Sequence, residues 1–473
     1  MYDYVYEKNM DYMQCQSGES SVFINLKTGN WVKLNDTAII VLELIDGKRC
    51  LGVIVEEIAQ RFHLKPDIIK SIYRDVFESL ITSCVIINIS SDARINDSVD
   101  IESQEIEFPE QIWVHITNVC NLSCPYCYFS CDCIDINASC LCDCDNMFIN
   151  REDLFSLLRH IPQDYRKEVI ISGGEPFLNN DLIGIVRYLK NDLCFTSITV
   201  ITNGTVRHED YSQVLEYIDI IQISLDGTTE VIHETARGLG SFQKTLNGIK
   251  TAVSINKDKV KVSYTLTDSN IHDIKELPEF CYNNQIASIH INKVIHVGKG
   301  MHHEIEFCQS RFDEEYSLFN NNAAKQNAKI HYQREIKEIG IEKKRPFLSI
   351  TSSFDLTPKI SVANKLISCG AGIAIISIAP DGYVYPCPSL HIDDYKIGIT
   401  RDSIIQILEN GKVFNEKHNV EAQNTACYNC DYKYFCGGGC RAEAYSRGDI
   451  DGKYSDCSTI LCDIVKAISN FKL

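Results

Sequence analysis

Six short β-rich apolar runs punctuate the middle of the chain, near Ile112–Thr117, Val169–Ser172, Ile198–Thr202, Ile220–Leu225, Val260–Leu266 and Ile289–Val297. Helical stripes such as Leu154/Leu157/Leu158/Ile161 and Leu182/Ile185/Val186/Leu189 lie between them. Repeated β–α units imply a parallel sheet. Six of them predict an α/β fold built on an open, partial (β/α)6 TIM-like barrel. Its site is expected at the C-terminal ends of the strands.

The chain has 473 residues, and 22 of them are cysteine. No apolar stretch approaches the roughly 20 residues of a membrane span. The opening MYDYVYEKNM lacks the charged-then-apolar pattern of a secretory signal. A cytoplasmic protein with no membrane partner is therefore expected. A disulfide framework does not suit a reducing compartment, so metal ligation is the better use for so many thiols. The net charge of −18 argues against a general nucleic-acid binder.

Directly after the first run comes CNLSCPYC, with Cys120, Cys124 and Cys127 separated by three and then two residues. Three thiolates on one loop can hold three irons of a 4Fe–4S cube, leaving the fourth iron open to a chelating small molecule. Structural zinc wants four closed ligands, usually in paired short spacings, and a lone trio at a strand end fits that poorly.

This octapeptide at a first strand end resembles the signature of the radical S-adenosylmethionine (SAM) superfamily. SGGEP (Ser172–Pro176), ITNG (Ile201–Gly204) and ISLDG (Ile223–Gly227) end the next three runs and extend the resemblance. Each alone could be only a turn; their order along the sheet carries the likeness. The resemblance implies S-adenosyl-L-methionine as cofactor. It implies that Gly173, Gly174 and Glu175 receive the methionine amino group, and that Tyr126 lies by the adenine. Ser224 and Arg237 match positions that hold the carboxylate, a group the arginine fork suits. The implied chemistry is one-electron cleavage of SAM to a deoxyadenosyl radical, which abstracts a substrate hydrogen. No catalytic acid or base is assigned.

A second series begins at Cys369 and continues through Gly382, Cys387, Cys427, Cys430, Cys436, Cys440 and Cys457. It resembles the seven-cysteine SPASM extension of radical SAM peptide maturases. By that resemblance Cys427, Cys430, Cys436 and Cys457 hold a distal auxiliary 4Fe–4S cluster. Cys369, Cys387 and Cys440 hold a nearer one, making three clusters in all. The position where some relatives place a further ligand is Ala363. The fourth ligand is then either a substrate thiolate or a residue from elsewhere in the chain. Cys462 competes with Cys457. Taken alone, Cys427, Cys430, Cys436 and Cys440 also suit a zinc ribbon. Cys131, Cys133, Cys140, Cys142 and Cys144 match no known site and read as an acidic insertion with free thiols, with another metal site, a sulfur relay or a hold on substrate as the alternatives. Most of Cys15, Cys50, Cys84, Cys194, Cys281 and Cys308 are expected to be buried small hydrophobes.

Near the N-terminus, Val22–Leu26 and Trp31–Leu34 flank the turn Thr28-Gly29-Asn30, a hairpin signal. A short capped helix to Leu44, a helix through Ile54, Ile58 and Phe62, a longer one through Ile68, Ile72, Val76 and Leu80, and a strand Val85–Ile89 complete a winged-helix-like unit. WVKLNDTA and LIDGKR within it resemble PqqD-type peptide-recognition domains. The resemblance implies a precursor peptide whose leader adds a strand to a sheet edge and lies against the long helix. A DNA-binding winged helix is the rival, and the scarcity of clustered basic residues speaks against it.

The expected organisation is residues 1–92 for recognition, a polar linker at 93–108, the barrel at 109–306, a helical bridge at 307–366 and the cysteine-rich domain at 367–473. This order resembles sactipeptide and ranthipeptide maturases, which join a peptide cysteine sulfur to a carbon. It implies an oxidoreductase with an external electron donor such as flavodoxin or ferredoxin. Peptide carbon–carbon crosslinking, epimerisation and sulfatase-type oxidation are rivals within enzymes. An iron–sulfur electron carrier and a zinc-bound peptide adaptor are rivals from another class.

Overall fold

The structure, a computed structural model, describes residues 2–8, 12–17, 20–25, 31–61, 65–82, 85–89, 108–129, 132–133, 147–286, 288–302, 315, 318–319, 322, 349–352, 370–418, 440–446, 448 and 450. Its first unit contains β1 (Tyr6–Lys8), β2 (Tyr12–Ser17), β3 (Ser20–Asn25), β4 (Trp31–Asn35), α1 (Asp36–Glu43), α2 (Leu51–Arg61), α3 (Pro66–Thr82) and β5 (Ile86–Asn88). The expected hairpin is β3–β4, and β2 extends it to an antiparallel three-stranded sheet. Pro66 opens α3, where its missing N–H costs no helical bond. Ile54 and Ile58 of α2 and Tyr73, Phe77 and Leu80 of α3 recur at helical spacing and share one apolar core.

The strands β1 and β2 were not anticipated from the sequence. β1 is three residues long, two of them charged, so it carries no apolar alternation of its own. Its segment is held by backbone bonding on two sides. β1 pairs with β5, while Gly47 and Leu51 donate to the carbonyls of Tyr6 and Tyr4 at 3.1 and 2.9 Å.

The central sheet follows the six expected runs. The barrel region runs β6 (Gln111–His115), β7 (Val119–Cys120), β8 (Asp132–Cys133), α4 (Arg151–Arg159), β9 (Glu168–Ser172), α5 (Leu182–Asn191), β10 (Ser197–Thr202), α6 (Tyr211–Tyr217), β11 (Ile220–Ser224), α7 (Glu230–Arg237), α8 (Phe242–Asn256), β12 (Val260–Leu266), α9 (Leu277–Asn283) and β13 (Ser288–Lys293), with β7 and β8 forming a separate two-stranded pair. β6, β9, β10, β11, β12 and β13 lie side by side in that order, each parallel to the next. Successive residues of a strand face opposite ways. Ile112, Val114, Val169, Ile171, Ile221 and Ile223 therefore share the face buried against the helices. The other face carries His115, Ser172, Gln222, Ser224, Ser263 and Asn292. A packed TIM-type interior is filled by branched apolar side chains. The polar side chains on this face, which also carries Trp113, Ile170 and Ile201, suit a bound molecule with polar groups instead.

The sheet continues beyond the barrel strands. β14 (Ser349–Ser352) pairs parallel with β13. β15 (Ile375–Ile378) pairs parallel with β6, and β16 (Tyr383–Tyr385) and β17 (Gly398–Ile399) follow antiparallel, giving ten strands. The helices α10 (Ile404–His418) and α11 (Arg441–Ser446) complete the described chain. Two expectations change. The segment read as a helical bridge supplies a strand at 349–352, and the cysteine-rich region is continuous with the barrel sheet. An open barrel leaves unpaired N–H and C=O groups along both edges, and nearby chain satisfies them.

Leu158 is fully buried on α4. Leu158→Ala is expected to lower the unfolding free energy by roughly 2–5 kcal/mol in a denaturant titration.

Candidate cluster and cofactor site

The loop after β6 carries the first cysteine group. Cys120 is buried, Cys124 and Cys127 are half-buried, and none is in a disulfide. The SGGEP turn after β9 grips this loop through its backbone. Gly174 N–H donates to Thr117 O at 2.7 Å and Glu175 N–H donates to Val119 O at 2.8 Å. Gly173 has φ +119°, and a Cβ there would stand 2.4 Å from Thr117 O. A Cβ on Gly174 would stand 2.0 Å from Val119 O. The glycine pair thus admits the backbone of the cluster loop, a demand additional to any ligand.

Glu175 is fully buried. Its Oε1 accepts from Phe177 N–H at 3.1 Å and Thr202 Oγ1–H at 2.7 Å, and its Oε2 accepts from Asn203 N–H at 2.7 Å. Burial pushes its pKa up to about 7, against the pull of these hydrogen bonds and of Arg237. The carboxyl expected to meet the methionine amine is thus already bonded to the ITNG segment. Asn203 of that segment reaches back to the cluster loop. Its Nδ2 donates to Asn121 Oδ1 at 2.9 Å and lies 4.0 Å from Cys120 Sγ. Asn121 Nδ2 donates in turn to Thr205 Oγ1 at 2.7 Å.

Asp226, in ISLDG, is a hub that the sequence reading passed over. It is fully buried. Its Oδ2 accepts from Tyr126 O–H at 2.8 Å and from Arg237 Nε–H, and its Oδ1 accepts from Thr265 N–H at 2.7 Å. One carboxylate thereby joins the cluster loop, the end of α7 and β12. An acidic residue just past a strand end was the available signal. Arg237 also places Nη1 3.9 Å from Cys124 Sγ. Burial opposes its charge, but Asp226 and its other neighbours hold its pKa well above the usual value. Burial, then Asp226, raises the Tyr126 hydroxyl. Burial pushes the Cys124 thiol up to about 11, against the nearby Arg237 charge. Such a thiol gives up its proton only to a strong compensating charge, which ligated iron supplies. Ser224 ends β11, buried, in register with Ser263 of β12.

Behind the loop, the rings of Phe129 and His391 lie 4.2 and 4.7 Å from His115. Burial keeps both imidazoles neutral, depressing His391 to about 3. Ser377 and His391 Nε2 are hydrogen-bonded at 2.8 Å.

Of the second cysteine series the structure places Cys387 and Cys440. Both are half-buried and pack against the main core. Gly382 turns the β15–β16 hairpin with φ +85°. Cys369, Cys427, Cys430, Cys436, Cys457, Cys462 and Ala363 lie outside the described residues, as do Cys131, Cys140, Cys142 and Cys144. Cys133 is placed by backbone register, opposite Cys120 in the β7–β8 pair. Among the scattered cysteines, Cys281 is buried as expected and Cys50 is half-buried. Cys194 is exposed. It occupies a left-handed turn after α5, with φ 56°. Cys15 lies in β2, its side chain outside the described residues, while Cys84 and Cys308 lie wholly outside them. Among the described residues no three His, Cys, Asp or Glu side chains converge on a single-ion site. Three thiols without disulfides on one loop, approached by a guanidinium and a carboxamide, fit three-corner ligation of a 4Fe–4S cube.

Two outcomes follow from this geometry. Gly174→Ala is expected to cost the loop its seat, read as loss of bound iron and of cluster absorbance after anaerobic reconstitution. For Glu175, the folded chain keeps a proton that the unfolded chain releases between the ordinary carboxylate range and pH about 7. Its contribution to stability therefore falls as pH rises through that window. Unfolding titrations of Glu175→Gln against the parent should diverge across it by roughly 1–3 kcal/mol, with the parent losing more.

Three family models match the chain. They are the Radical SAM superfamily over residues 114–281, Coenzyme PQQ synthesis protein D (PqqD) over 21–86, and the SPASM iron-sulfur cluster-binding domain over 369–431. A probable GTP 3',8-cyclase of Saccharolobus islandicus is 26% identical over 208 residues, covering 44% of this chain and 64% of the cyclase. The match thus spans under two thirds of that relative. The mycofactocin maturase MftC of Mycobacterium tuberculosis is 25% identical over 350 residues, covering 72% of this chain and 81% of the maturase. The crystal structure of Streptococcus suis SuiB bound to precursor peptide SuiA matches with a TM-score of 0.56 and 17% identity, covering 97% of this chain and all of SuiB, a likeness of fold. With the cluster loop, its glycine seat and the parallel sheet in place, the chain carries a radical SAM domain, preceded by a PqqD-like domain and followed by a SPASM domain.

Proposed function

We propose that this protein is a cytoplasmic radical SAM maturase that forms thioether crosslinks, cysteine sulfur to carbon, in a ribosomally made peptide. The observation that carries the reading is one chain combining a cluster loop over a polar barrel interior with a peptide-sized sheet edge. In the first unit β4 is an edge strand, and α3 lies against it. Ile68 of α3 is 43% exposed and offers an apolar surface on that helix. A leader added to β4 would gain main-chain hydrogen bonds, with α3 supplying side-chain contacts. The similarity to MftC and SuiB supports a peptide substrate.

In this reading Cys120, Cys124 and Cys127 hold the cluster that binds SAM. Arg237 and Ser224 hold the SAM carboxylate, Tyr126 lines the adenine, and Gly173, Gly174 and Glu175 receive the amine. Cluster and SAM together supply a carbon-centred radical that removes a substrate hydrogen. Asp226 keeps Tyr126 and Arg237 in place while this happens. Cys427, Cys430, Cys436 and Cys457 would hold one auxiliary 4Fe–4S cluster and Cys369, Cys387 and Cys440 another, and one of them would supply the acceptor for the electron released on C–S closure. A flavodoxin or ferredoxin serves as the external reductant. Among the described residues no helix is long and apolar enough to cross a membrane.

Co-expression with a small cysteine-rich precursor should give a product lighter by two hydrogens per crosslink in mass spectrometry. Deleting its leader should remove the modification while SAM cleavage persists. Deoxyadenosine formation with unchanged peptide mass would reject crosslinking and favour epimerisation. Cys124→Ala should abolish SAM cleavage.

A further inference from the structure

Asn203 is held at every polar atom. Its N–H donates to Glu175 Oε2 at 2.7 Å, and its carbonyl accepts from Thr245 Oγ1 at 2.9 Å. Its Oδ1 accepts from Thr205 N–H at 2.9 Å and Thr205 Oγ1 at 2.6 Å. Those two donors fix which end of the carboxamide is oxygen. The NH2 end must therefore face the cluster loop. One of its two protons goes to Asn121 Oδ1 at 2.9 Å; the direction of the other is Cys120 Sγ, 4.0 Å away. Sulfur is large and soft, so its hydrogen bonds are long. Cys120 is only 7% exposed, which limits what water can offer its sulfur. In such surroundings a fixed dipole acts strongly.

We propose that Asn203 donates an N–H···S hydrogen bond to Cys120 and thereby sets the reduction potential of the cluster seated on that loop. The inference rests on the reading that Cys120, Cys124 and Cys127 ligate a 4Fe–4S cluster. A donor to a ligand sulfur stabilises the reduced, more negative state, so it raises the potential. Arg237, with Nη1 3.9 Å from Cys124 Sγ, acts in the same sense on that sulfur. Asn203 is a positioning residue in this account, acting on the cluster through Cys120.

The test uses the reconstituted full chain. In Asn203→Leu, EPR-monitored titration should move the midpoint of the first cluster to more negative potential. The Asn121→Ala variant removes the neighbouring amide contact and keeps the donor, so its midpoint should stay at the parent value. A second measurement needs no variant at Asn203. Pulsed EPR of the reduced parent labelled with 15N-asparagine should show hyperfine coupling from a side-chain nitrogen, and Asn121→Ala should retain it. An unshifted midpoint in Asn203→Leu, or no nitrogen coupling in the labelled parent, overturns the inference while the cluster stands. Failure of the parent itself to assemble a cluster on Cys120, Cys124 and Cys127 defeats the underlying reading instead.

Discussion

The site depends on the close approach of two backbones, the SGGEP turn and the cluster loop. Gly173 and Gly174 let the turn press against the carbonyls of Thr117 and Val119, and two N–H groups then bond across the contact. Without that seat the loop would lose the backbone contact that sets it against the end of β9. With it, the first cysteine is pinned between β6 and β9, at the ends of two neighbouring strands. Everything else at the site is arranged around that fixed point.

Three carboxyl and amide groups extend the seat sideways. Glu175 joins the turn to ITNG, Asn203 joins ITNG to the loop, and Asp226 joins the loop to α7 and β12. These buried groups are expensive to desolvate and are satisfied by several donors each. Such networks resist small displacements, because moving one member strands another. The ordering of the loop is thus a collective property of four strand ends, which is why the four motifs recur in order along the sequence.

The sequence made the barrel legible because its strands bury one face against helices and so write strand period and helix period in turn. β6, β9, β10, β11, β12 and β13 fall within a few residues of their expected positions. The placing of Cys120, Cys124 and Cys127 on the loop that follows the first barrel strand was legible from spacing. β1, β2 and β14 were not, because they are edge strands whose existence depends on a partner supplied by the fold. Asp226 was hidden for another reason. Its importance lies in joining residues a hundred positions apart, Tyr126 and Asp226, a relation that no local window displays. The glycines of SGGEP were expected to receive the methionine amino group, and the structure adds a second demand on them. Their Cβ positions fall on protein backbone.

The shared sheet has a consequence for how such a molecule changes its repertoire. β15 is bonded strand to strand with β6, and His115 and His391 meet across the same seam. Cys120 and Cys387 are therefore anchored a few residues from one continuous ladder. The strands from which the two segments spring are held in one register, like teeth on a rack. Accommodating a bulkier guest must fall to loops above the strand ends, leaving the span between the two sulfur-bearing segments untouched.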